Sequence, residues 1–194
     1  MATAALRDTD RPEERGEKRL WTYDELLAEF GESNQPMELW DGELIMSPTP
    51  TPNHQRIVLR FSVALHQFVS SRKLGEAFAS PLDVIFTQRR TVQPDAFFVS
   101  NANKAIVQDR VRGAPDLCME VVSRTWRRDR IEKKELYGEF GVKEYWLIDP
   151  ERRSIEVLEL VDGAYRLHQQ AVDAEPVHSK LLPGFAVSFN QLLV

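Results

Sequence analysis

The chain is predicted to adopt an α/β fold, a mixed sheet covered by helices, and three observations carry that prediction. Short runs of strand-forming residues alternate with two long amphipathic segments, the pattern of a sheet with helices laid on it. Asp41-Gly42 joins two such runs, a strong hairpin signal because that pair tolerates the positive φ of a type I′ turn. The 194 residues are 42% hydrophobic, enough to fill the core of one domain.

Residues 1–19 are rich in Arg, Asp and Glu and read as a disordered or loosely attached tail, leaving 20–194 as a single domain. Thr22 with Glu25 forms a capping-box pattern that starts a short helix over 22–30, ended near Gly31. Strands at 37–40 and 43–46 make the N-terminal hairpin, and the proline-rich 47–52 is an extended connector. Asn53 is positioned to cap a helix to about residue 71, with His54, Val58, Phe61, Leu65 and Phe68 as its buried stripe. Strands are expected at 76–79, 82–87 and 92–99, then a polar loop over 102–113. A strand over 116–123 leads into a helix over 126–140, stopped by Gly141, and a strand over 143–148. A second hairpin, 154–160 with 165–170, turns at Asp162-Gly163, and a short apolar segment follows Leu181 to Phe185. The apolar bulk of 144–148 marks it as core or as a dimer interface.

Several classes are excluded. A single cysteine permits neither a disulfide framework nor a cysteine-based zinc site, so Cys118 reads as a small core residue. No apolar run approaches a membrane span and no signal peptide is evident, so a cytoplasmic protein is expected. A net charge of −5 disfavours a protein that coats nucleic acid, though Arg127, Arg128 and Arg130 form a local basic cluster. That cluster is either a phosphate clamp or a solvated helix start.

Glu120 lies in the apolar run Leu117-Cys-Met-Glu-Val-Val122, and an unpaired carboxylate there would cost several kcal/mol or titrate to neutral. A divalent metal, or an edge-strand position facing water, would explain it. Two Pro-Asp pairs open strands, Pro94-Asp95 and Pro115-Asp116. Asp116 shares a strand face with Glu120 but lies roughly 13 Å along it, too far to share an ion. Asp95 can lie beside Glu120 if their strands neighbour each other, so geometry prefers that pair. Lys133 falls on the apolar stripe with Leu136, Tyr137 and Phe140 and must snorkel or meet an anion. Tyr137 itself reads as core.

These residues resemble the PD-(D/E)XK nuclease superfamily, and within it the Uma-two family of putative endonucleases. The likeness runs from Glu38 to Phe185 and is carried by Glu-Leu-Trp-Asp-Gly-Glu43, Ser-Pro-Thr-Pro-Thr-Pro-Asn-His54, Val-Gln-Pro-Asp95 and Ala-Pro-Asp-Leu-Cys-Met-Glu-Val-Val-Ser123. Asp129 to Lys133 with Tyr137, Gly-Val-Lys-Glu-Tyr-Trp-Leu-Ile-Asp-Pro150 and Leu-Leu-Pro-Gly-Phe185 complete it. The resemblance implies a restriction-endonuclease-like central mixed sheet flanked by helices. It makes Asp95 and Glu120 the two motif acids and Lys133 the catalytic lysine, displaced from the usual position two residues past the acid, where Val122 stands. Glu38 matches an early acidic residue that would complete the metal shell, and His54 a histidine at the start of the first core helix, which reads either as a packed residue closing the stripe or as a ligand or phosphate contact at the helix N-terminus. Ser123-Arg-Thr-Trp126 departs from the family's usual Ser-Pro-Ser-Thr.

The activity that the resemblance implies is hydrolysis of phosphodiesters, in DNA before RNA, with Mg²⁺ or Mn²⁺ as the hard cation its carboxylates would hold, and a homodimer is the default state. The competing expectations are a non-cleaving binding module that kept the fold, and a hydrolase of small phosphoesters.

Overall fold

Thr22 caps α1 (Tyr23–Phe30) through a reciprocal capping box: its side chain accepts from the Glu25 N–H, and the Glu25 carboxylate accepts from the Thr22 N–H at 2.8 Å. The computed structural model describes residues 19–31, 36–46, 49–123 and 127–193, so the predicted tail, residue 19 apart, lies outside the described residues. β1 (Met37–Trp40) and β2 (Glu43–Met46) pair antiparallel, and Asp41 and Gly42 take φ of 52° and 88° between them, the two positive values a type I′ turn requires. A Cβ on Gly42 would lie 3.0 Å from the Trp21 carbonyl oxygen, so the close approach of the segment before α1 also demands glycine.

α2 (Pro52–Ser71) starts earlier than predicted. Thr51 rather than Asn53 is its cap, and Pro52 takes the first turn, where a missing N–H costs nothing. Asn53 instead accepts from Arg56 Nη1 at 2.7 Å. Next come β3 (Gly75–Ala79), β4 (Val84–Thr87), β5 (Arg90–Val92) and β6 (Ala96–Ser100). The single strand predicted over 92–99 is broken, because Pro94 has no N–H for a ladder and holds Gln93 extended. Its halves join different sheets. The predicted loop over 102–113 contains a 3₁₀ turn (Lys104–Ile106) and β7 (Val111–Arg112), which runs parallel to β4.

β8 (Leu117–Val121) leads to a π-helical turn (Arg128–Glu132) and then α3 (Lys133–Glu139). The one helix predicted over 126–140 thus has two helical registers. β9 (Glu144–Asp149) is followed by the hairpin β10 (Ser154–Val161) and β11 (Ala164–Val172), then β12 (Pro176–His178), β13 (Ala186–Ser188) and α4 (Phe189–Leu193).

The main sheet has the order β11-β10-β9-β8-β6-β3. Only β8 and β9 are parallel in it, and a parallel pair needs a crossover, which the helical segment between them supplies. A second sheet has the order β2-β1-β5-β4-β7, and β12 pairs with β13. Period-two alternation divides the core between the faces of the main sheet. Leu117, Met119 and Val121 pack with Trp146, Phe98 and the Ile57, Phe61 and Leu65 stripe of α2. Cys118, Phe97, Tyr145 and Leu147 pack with Leu136 and Tyr137 of α3 and with Val84 and Val92 of the second sheet. By parity Glu120 shares the face of Cys118. All six residues of β9 are buried within the chain, so that strand is core.

Candidate active site

Asp95 and Glu120, the two acids expected to share a site, flank one paired position of neighbouring strands: β6 pairs antiparallel with β8 in the register Ala96↔Met119, and Asp95 directly precedes Ala96 while Glu120 directly follows Met119. Asp95 Oδ2 accepts from the N–H of Val121 at 2.8 Å, which ties the residue after Pro94 to the end of β8. The same oxygen lies 3.2 Å from Nε2 of His54, which the first turn of α2 brings to this end of the sheet. The Asp95 and His54 side chains keep 14% and 18% of their exposure, so this is the wetter edge of the cluster.

Glu120 is only 2% exposed and both of its oxygens are engaged. Lys133 Nζ stands 2.8 Å from Oε2, and the Tyr137 hydroxyl donates to Oε1 at 2.6 Å. Lys133, itself 5% exposed, also lies 3.4 Å from Glu38 Oε1. Glu38 comes from β1 in the other sheet, where it is 2% exposed and accepts from Trp40 Nε1 and from the N–H of Gln93. The site therefore bridges the two sheets through one buried ammonium. Burial alone would lower the Lys133 pKa, but the charges of Glu120, Glu38, Asp129 and Asp95 outweigh it and hold the proton on the amine. Burial pushes Glu120 up, opposed by Lys133. Burial would lower His54, yet its hydrogen bond to Asp95 and that carboxylate's charge raise it overall.

The remaining sequence candidates fall elsewhere. Both arms of the Arg130 guanidinium are taken, by Glu156 Oε1 at 2.7 Å and Asp149 Oδ2 at 2.8 Å, an internal tie rather than a free clamp. Arg127 is exposed, and the Arg128 side chain lies outside the described residues. Asp116, in the second Pro-Asp pair, is a structural staple: it accepts from Lys143 Nζ at 2.6 Å, from the Ser100 N–H at 2.8 Å and from Asn103 Nδ2 at 3.2 Å.

Two neighbours of the site were not singled out as site residues from the sequence. Tyr137 is core, as expected, but its hydroxyl reaches Glu120; the signal was its i+4 spacing from Lys133 on the same helix face. Asp129, 6% exposed, accepts from the N–H and Oγ of Ser123 and locks the π-helical turn to the end of β8. Its spacing from Lys133 is uninformative because the helix changes register between them.

The chemistry of this donor set fits a hard divalent cation. Glu38 and Glu120 are oxygen donors on one ammonium, Asp95 is a third held by His54, and the buried Nδ1 of that histidine has no hydrogen-bond partner among the described residues. In the arrangement seen, Lys133 and His54 take carboxylate oxygens, and no group of three or more His, Cys, Asp or Glu among the described residues is close enough to hold an ion.

The model of the Uma2 family, described as "putative restriction endonuclease", matches residues 22–190. No curated protein sequence matches the chain. Among solved structures, a putative nuclease belonging to DUF820 from Anabaena variabilis ATCC 29413 superposes with a TM-score of 0.72 at 20% identity, over 89% of this chain and 97% of that one. The mixed sheet flanked by helices is thus a restriction-endonuclease-like fold.

Proposed function

The chain belongs to the Uma2 family of putative restriction endonucleases, and we propose on that basis that it is a divalent-metal-dependent endonuclease that hydrolyses phosphodiester bonds, in DNA before RNA. The observation that carries the reading is the grouping at one end of the main sheet of Asp95, just before β6 and bonded to the Val121 N–H, with Glu120 of β8 and its partner Lys133 of α3. Asp95 and Glu120, with Glu38, would hold Mg²⁺ or Mn²⁺ through oxygen. When bound, such an ion polarises a phosphoryl oxygen and lowers the pKa of its water. Lys133 remains protonated among its carboxylates, so it would present an ammonium to the negative charge that develops on the phosphoryl group. His54, at the first turn of α2, would meet a substrate phosphate where backbone N–H groups favour anions.

The test is cleavage of plasmid, linear and single-stranded DNA and of RNA in Mg²⁺ or Mn²⁺. Wild type should cut at least one substrate. Asp95→Ala, Glu120→Gln and Lys133→Ala should each lose about 100-fold or more, the scale of removing a group that stabilises transition-state charge. Undiminished cleavage by Glu120→Gln would sink the mechanism. The second reading, a non-cleaving binding module, draws on the engagement of both Glu120 oxygens by Tyr137 and Lys133. It predicts metal-independent binding that survives the same substitutions.

A further inference from the structure

Glu120 is gripped at both oxygens from one helix face, and only one of the two gripping groups has a part in the reaction proposed above. Lys133 and Tyr137 are i and i+4 on α3, so they stack along the axis and reach the same carboxylate from one side. The terminal torsion of a glutamate is broad and roughly two-fold, so a single partner leaves its two oxygens interchangeable. A second donor on the other oxygen removes that freedom.

The rest of Tyr137 is ordinary core. It is fully buried, with its ring 5.0 Å from that of Tyr145 and 6.1 Å from that of Phe86. A buried hydroxyl must find an acceptor, and a backbone carbonyl would serve. The two tyrosines nearby do choose carbonyls: Tyr145 donates to Asp129 O and Tyr165 to Val142 O. Tyr137 alone of the three spends its proton on a site carboxylate.

We infer that Tyr137 is a positioning residue: its phenol ties down Glu120 Oε1, so that Oε2, the oxygen beside Lys133, is the one Glu120 offers to a metal ion. The inference rests on the nuclease reading, because it assigns the tyrosine a task in that reaction.

Tyr137→Phe tests it, since it deletes one oxygen and keeps the packed ring. Tyr165→Phe is the control, removing a hydroxyl from the same aromatic stack without touching Glu120. Three readouts are compared on the full chain: the NMR signal of the Lys133 ammonium, assigned by its loss in Lys133→Met; calorimetric Mn²⁺ affinity without substrate; and kcat with KM for cleavage. Tyr137→Phe should shift or broaden the Lys133 signal and weaken Mn²⁺ binding by about 10- to 100-fold. It should lower kcat by a similar factor and leave KM within about twofold. Tyr165→Phe should match wild type throughout. An unchanged Lys133 signal, or an equal loss in Tyr165→Phe, overturns the inference while the nuclease reading stands. A wild type that neither binds Mn²⁺ nor cleaves overturns both, and is recognised by failure before any tyrosine is changed.

Discussion

The two Pro-Asp pairs show how one local signal serves two ends at the scale of the residue. Asp116 is 2% exposed and its carboxylate is satisfied by Lys143, Ser100 and Asn103, whereas Asp95 is shared between the Val121 N–H and His54 at a partly open edge. Burial would raise the Asp116 pKa, but the Lys143 hydrogen bond and the Ser100 N–H outweigh it and the net shift is downward. A carboxyl with a lowered folded pKa stabilises the fold above its unfolded value, near pH 4, and that contribution is lost as pH falls through the folded value. Asp116→Asn should therefore cost about 2 kcal/mol at pH 7, the scale of hydrogen bonds to a charged group. The difference from wild type should be constant from pH 7 to 5 and shrink below pH 4, as measured by urea unfolding. A deficit that stayed the same down to pH 3 would remove the carboxylate charge from the explanation.

The decisive element is the π-helical turn before α3. A π-helical turn carries an extra residue in its hydrogen-bonded loop, and here it is anchored on both sides. Asp129 binds Ser123 at the end of β8, Tyr145 donates to the Asp129 carbonyl at 2.7 Å, and Arg130 spans Asp149 on β9 and Glu156 on β10. The turn that delivers Lys133 is thus fastened to β9, to β10 and to Ser123 just past β8. Arg130 and its two acids are each less than one-fifth exposed, so this network should exceed an ordinary surface ion pair. Arg130→Ala is expected to cost about 2 kcal/mol, and Arg130→Lys should recover only part, because an ammonium cannot reproduce the planar fork. Denaturant titration decides it: a cost below about 0.5 kcal/mol would class the network with solvent-screened pairs.

Across the whole molecule, the site is a junction between two sheets. Glu38 arrives with the hairpin sheet and Glu120 with the main sheet, Lys133 joins these two, and Asp95 stands just before β6 beside them. The junction is reinforced by Arg90 of β5, which pairs with Asp41 at 2.6 Å and with Glu139 of α3, and by the stacked Phe86 and Phe140 rings at 4.7 Å. A cation bound by carboxylates from both sheets would stabilise the folded chain by mass action. At 100 times its Kd that amounts to about 2.7 kcal/mol. For a chain of this length, Mn²⁺ should then raise Tm by roughly 5–10 °C over EDTA. Asp95→Asn should lose most of that rise in differential scanning calorimetry, and equal shifts in both proteins would argue against the assigned ligands.

What the sequence alone determined is local. Asp41-Gly42 announces a type I′ hairpin because the required positive φ is a property of those two residues, and Thr22 with Glu25 announces its cap because each side chain can accept from the other's backbone N–H. The middle of the α2 stripe (Val58, Phe61 and Leu65) and the anomaly of Glu120 are legible because burial on one face follows period and polarity, whereas Ile57 and Val69 take the buried places expected of His54 and Phe68. Tertiary structure alone decided that Pro94 divides its segment between two sheets, that β6 lies beside β8, and that Arg130 is consumed by Asp149 and Glu156. It also brought Glu38 to Lys133 and aimed the Tyr137 hydroxyl at Glu120. Backbone conformation is set by neighbours in the chain, whereas carboxylates far apart in sequence converge only when strand order, register and helix phase are all fixed together by packing.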